Sequence, residues 1–145
     1  MTDDELLEQF EDTSLPLASF HHEEHVRVAF LYLRKYPLLD VLARFPANLQ
    51  RFAAAHGKAG LYHQTISWAY LFLISERIAA NDGAKAWHSF KEQNPDVLDR
   101  TKPILAKYYR TETLASPAAR ERFVMPDRLV RDDTPVYLPL IRSEV

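Results

Sequence analysis

Three apolar segments, residues 19–36, 38–56 and 62–80, follow one another with little chain between them, and this spacing restricts the fold more than any other feature. The first carries Val26, Val28, Ala29, Phe30, Leu31, Tyr32 and Leu33. That density is too high for an exposed helix, and the segment is too long for an ordinary strand. It reads as a largely buried helix with Ser19 as N-cap. Glu23 and Glu24 suit the positive end of its dipole, Arg34 and Lys35 the negative end, and Pro37 stops it.

In the second segment Leu38, Leu39, Leu42, Phe45, Leu49 and Phe52 recur at intervals of three and four residues. It reads as a helix kinked or restarted at Pro46, which has no amide hydrogen to donate, with Gly57 as its C-cap. The third carries Ile66, Trp68, Ala69, Tyr70, Leu71, Phe72, Leu73 and Ile74, and Asn81-Asp82-Gly83 ends it. Apolar on nearly every side, it is expected to be the central helix.

Helices joined by short connections pack as antiparallel neighbours. The expected class is therefore all-α: a single-domain helical bundle over residues 1–145, with three main antiparallel helices. A short acidic amphipathic helix is expected before residue 18, and shorter helices over 84–93, 101–109 and after Ser116-Pro117. From about residue 125 to 145 the prolines and charged runs predict an extended tail. Its Val136, Tyr137, Leu138, Leu140 and Ile141 would lie along the bundle or reach another subunit.

With 145 residues, 47 % of them hydrophobic, the chain can bury a real core. The lack of cysteine removes disulfides, thiolate metal ligands and a cysteine nucleophile. Eighteen basic against twenty acidic residues leave no basic face for nucleic acid. Only three glycines occur, too few for a phosphate-cradling loop or a dinucleotide fingerprint. The acidic N-terminus lacks the order of a signal peptide, and no apolar run is long enough to span a bilayer. The expectation is a cytoplasmic protein with a small-molecule partner, no nucleic acid and no membrane.

The antiparallel arrangement places the starts of the first and third helices, and the end of the second, at one end of the bundle. There lie His21, His22, His25, His56 and His63, five of the six histidines. His21 and His25, one helical turn apart, would point to one place. His63 shares a stripe with Ile66 and Tyr70. Three neutral imidazoles around one ion with a position left for water is an arrangement of catalytic Zn²⁺ and other first-row metals, Fe²⁺ among them. His22 is a candidate fourth ligand. Glu24 is placed to orient His21 or act as a general base, and Tyr62 to move protons.

The bland reading is that these are helix-start residues and hydrogen-bonded core histidines. His56 then only favours a helix end, and His88 packs or lies on the surface. Ser67 and Ser75 lack the partners of a catalytic triad. Glu76 would pair with Arg27 or Arg34 or stay solvated. Arg120, Arg122 and Arg128 would either clamp an anion or decorate a surface.

The stretch Phe20-His-His-Glu-Glu-His25-Val-Arg, with Leu-Tyr-Leu-Arg-Lys-Tyr36 and Gly60-Leu-Tyr-His63-Gln-Thr-Ile-Ser-Trp-Ala, resembles a family of small, mostly bacterial helical proteins with no assigned activity. The likeness spans roughly residues 19–110. In that family the second motif reads Tyr-His-Glu-Thr-Ile-Thr, where this chain has Gln64 and Ser67. The resemblance implies that the two histidine motifs belong together. The leading expectation is a histidine-ligated metal-binding protein that carries out hydrolysis or oxidation of a small molecule. The alternatives are a metal-free pocket for a small ligand, or an interaction module that presents the tail.

Overall fold

The computed structural model describes residues 1–81 and 86–128. The tail beyond Arg128, with the apolar residues 136–141, lies outside them. Among the described residues every regular element is helical, and the chain is an all-α domain.

Helix α1, Asp3–Glu11, starts with a reciprocal cap: Thr2 Oγ1 accepts from the Glu5 amide at 3.1 Å, and Glu5 accepts from the Thr2 amide at 3.0 Å. Its Leu6 and Phe10, one turn apart, are buried. Phe10 is fully buried and meets the rings of Phe20, Phe45, Phe52 and Tyr32 at centroid distances of 5.3, 6.1, 5.5 and 6.4 Å. The short acidic helix thus supplies the centre of an aromatic core.

The three long helices are α2 (His22–Lys35), α3 (Leu38–Ala55) and α4 (Gln64–Ala80), close to the expected bounds. One start differs. Ser19 belongs to a short 3-10 turn, Leu17–Ser19, and the N-cap of α2 is His21.

At Pro46 helix α3 continues without restarting. A proline leaves the carbonyl four residues earlier, here Leu42, without its helical donor. The indole Nε1 of Trp68 on α4 donates to that carbonyl at 3.1 Å. A neighbouring helix thus supplies the missing hydrogen bond. Helix α3 ends in a Schellman turn: Lys58 N donates to Ala53 O at 2.7 Å and Gly57 N to Ala54 O at 3.1 Å, with Gly57 at φ +70°. Glycine holds this left-handed position at no steric cost.

The central place goes to α2 rather than α4. Helix α2 packs against α1, α3, α4 and two short helices, α5 (Trp87–Gln93) and α6 (Pro95–Leu98). The outer face of α4 is instead covered by short pieces. Helices α7 (Thr111–Ala115) and α8 (Pro117–Glu121) lead to Phe123, which meets Trp68 and Phe72 at 5.7 Å each. Arg77 fastens the α5–α6 joint to α4, donating to Asn94 Oδ1 at 3.0 Å and to both carboxylate oxygens of Asp96 at 2.9 and 2.7 Å. Glu76 is exposed, and Arg27 pairs with Asp3 at 2.7 Å instead. No helix among the described residues is long and apolar enough to cross a membrane.

Candidate ligand-binding site

The start of α2, the end of α3, the loop after it and the start of α4 enclose a cavity of about 490 Å³. Its deep wall is apolar: Phe52, Leu71 and Ile74 are buried, with Val26, Ala29 and Phe45 beside them. Four histidines line it, His21, His22, His25 and His63, together with Tyr62, Ser67 and Tyr70. Four of the five histidines expected at that end thus border one cavity, and His56 does not. The roles of the individual rings differ from expectation.

His21 is not a helical residue. As N-cap of α2 it has extended backbone angles, φ −91° and ψ −178°, so the one-turn stacking over His25 does not apply. Its ring is mostly exposed, and Nδ1 lies 3.0 Å from Glu24 Oε1. The same oxygen accepts from the His21 amide at 2.9 Å. Glu24 thus orients His21, as its spacing suggested, but the shared oxygen is occupied as a helix cap.

His63 is likewise an N-cap, of α4, and does not lie on the Ile66–Tyr70 stripe. Its Nδ1 accepts from the Ile66 amide at 3.1 Å. The ring proton therefore sits on Nε2, which donates to Leu114 O at 2.7 Å. Both nitrogens of this buried ring are occupied, and neither has a lone pair left for a metal. The His21, His25, His63 ligand set is not assembled. Among the described residues no group of three or more histidine, aspartate or glutamate side chains is placed to hold a metal ion. Zn²⁺ or Fe²⁺ would have to break a helix cap to gain its third nitrogen.

His22 Nε2 lies 3.0 Å from Val97 O, and its ring meets Tyr70 edge-on at 5.2 Å. The Tyr62 hydroxyl donates to Gln64 Oε1, and burial pushes its pKa up. Ser67 Oγ donates to His63 O at 2.8 Å. With its proton directed at Gln64, Tyr62 is a fixed donor rather than a free proton carrier.

His25 differs from the other three. Its ring stacks on Phe20 at 4.0 Å with the planes 24° apart, and no hydrogen bond holds it among the described residues. Nor does it belong with the sealed unpartnered atoms, His56 Nε2 and Asn81 Nδ2. Its ring lines the cavity. Burial, aided by the neighbouring His22, holds its pKa down at about 4, so the imidazole is neutral at pH 7. The Tyr70 hydroxyl is also without a hydrogen bond among the described residues. Burial raises its pKa, which keeps it a proton donor. His25 and Tyr70, a neutral imidazole and a phenol, can hydrogen-bond a guest but themselves offer it no charge.

His56 meets Phe52 at 4.5 Å with the ring planes 52° apart, behind the cavity wall, and His88 pairs with Glu92 on the surface at 3.0 Å. The basic C-terminal segment is structural where it is described: Arg120 donates to Gly60 O and Tyr62 O at 3.0 and 3.3 Å, and Arg128 to Ala106 O at 3.1 Å. Sequence reasoning passed over Lys58 and Arg100, which stand at the cavity's exposed rim. Their only sequence signal is a cation beside a turn.

The fold and site define an all-α domain with a histidine-bordered cavity at one end of a helical bundle. No protein-family model, curated protein or solved structure matches the chain.

Proposed function

We propose that this protein binds a small, mostly apolar organic molecule in the 490 Å³ cavity, without a metal. The volume is that of ordinary small-molecule sites, which pair an apolar lining with a few polar groups that set orientation. The observation that carries the reading is His25: alone among the cavity's histidines it lines the cavity with no hydrogen-bond partner among the described residues. A buried polar group without a partner is costly, so a cavity lined by one favours a guest that bonds to it. His21, His22 and His63 frame the cavity, and Tyr70 offers a second hydrogen-bonding group.

The test is binding of the neutral fluorophore N-phenyl-1-naphthylamine. The wild type should give a saturable, blue-shifted emission increase. Ala53→Phe, which fills the cavity from a half-buried helix position, should abolish that increase while leaving the circular dichroism spectrum unchanged. A wild type that leaves the dye's emission unaltered defeats the reading.

A further inference from the structure

We infer that the guest is an amphipathic anion, its apolar body inside and a carboxylate-type head at the rim between Lys58 and Arg100. This inference rests on the small-molecule reading above and adds the ligand's polarity. The cavity is graded from end to end. Its floor is apolar and closed, with Phe52 1 %, Leu71 0 % and Ile74 0 % exposed. Its rim carries Lys58 from the Schellman turn and Arg100 from the chain after α6, both exposed and neither ion-paired among the described residues. Among the described residues the lining contains no aspartate or glutamate.

That absence is not for want of acids nearby. Glu24 is turned to His21, and Glu23 pairs with Lys91. Asp99, next to Arg100, accepts from the Thr101 amide and hydroxyl at 2.8 Å each, so among the described residues the side chains lining the rim carry formal positive charge and no negative one. Leu17 and Leu61, 39 % and 69 % exposed, complete the lip, so apolar surface stays in water beside the two cations. An amphipathic anion satisfies all three features. Its hydrocarbon covers the floor and lip, its head meets Lys58 and Arg100, and the neutral His25 inside receives no charge. A cationic guest would meet two like charges, and a neutral one would leave them unused.

The experiment displaces N-phenyl-1-naphthylamine with octanoate, 1-octanol and octylamine, which share a chain and differ in head. Octanoate should displace the dye at roughly five- to tenfold lower concentration than 1-octanol, the effect expected of two solvent-exposed ion pairs. Octylamine should be the weakest of the three. The double variant Lys58→Ala, Arg100→Ala should bring octanoate to the level of 1-octanol while leaving 1-octanol unchanged, and added salt should weaken octanoate, strengthen octylamine and leave 1-octanol unchanged. Equal displacement by octanoate and octanol in the wild type, or an octanoate preference that survives in the double variant, overturns the inference and leaves the cavity reading standing. A dye that does not bind the wild type removes both.

Discussion

His21 and His63 stand at equivalent places, each the residue before a long helix, and each has a ring nitrogen engaged within that first turn. An imidazole used in this way positions backbone rather than ligand. His25, inside the first turn of α2, is left with its ring on Phe20 at the cavity wall. Its pKa of about 4 makes a stability statement. The unfolded chain binds a proton near pH 6.5 that the folded chain refuses until about pH 4, so stability is greatest above about 6.5 and falls as the pH is lowered through that window. The full loss is on the order of a few kcal/mol. Urea midpoints measured at pH 7.5 and 5 should show this fall in the wild type and a clearly smaller one in His25→Phe. Equal falls in the two proteins would assign the acid sensitivity elsewhere.

At the scale of elements, the three long helices were legible because apolar spacing, charged ends and Pro37 and Gly57 act within a few residues of where they stand. The outcome at Pro46 was not legible in that way. Whether a helix survives a proline depends on whether something else reaches the freed carbonyl. Here it is Trp68, 26 residues away in sequence. Trp68→Phe should keep the ring's packing yet cost about 1–2 kcal/mol, the effect of leaving one part-buried carbonyl unpaired. In a Pro46→Ala background, where the backbone amide returns, the same substitution should cost much less. A double-mutant cycle by chemical denaturation reads the difference. The apolar density of α4 likewise suggested a central helix, but density does not reveal whether the covering surface is one long helix or several short pieces.

For the molecule as a whole, the clearest surprise is α1. Nine residues of the expected short acidic amphipathic helix place Phe10 among Phe20, Tyr32, Phe45 and Phe52, and so join the N-terminus to α2 and α3. Phe10→Ala should destabilise the fold by about 3–5 kcal/mol, as for other large aromatic truncations in a packed core. Because Phe20 and Phe52 also line the cavity, dye binding should weaken in the same variant. Stability and binding measured side by side would show both losses.

The sequence alone determined the helices, their approximate ends and the gathering of His21, His22, His25 and His63 at one end, since each follows from local periodicity and short connections. Tertiary structure decided what those histidines do. The carbonyls that engage His63 and His22 belong to Leu114 and Val97, 51 and 75 residues away. A lone pair is free or occupied according to such distant partners, and periodicity carries no information about them. The histidine-rich stretch at the start of α2 thus becomes one cavity-lining imidazole without a hydrogen-bond partner among the described residues, with Lys58 and Arg100 at the cavity's mouth.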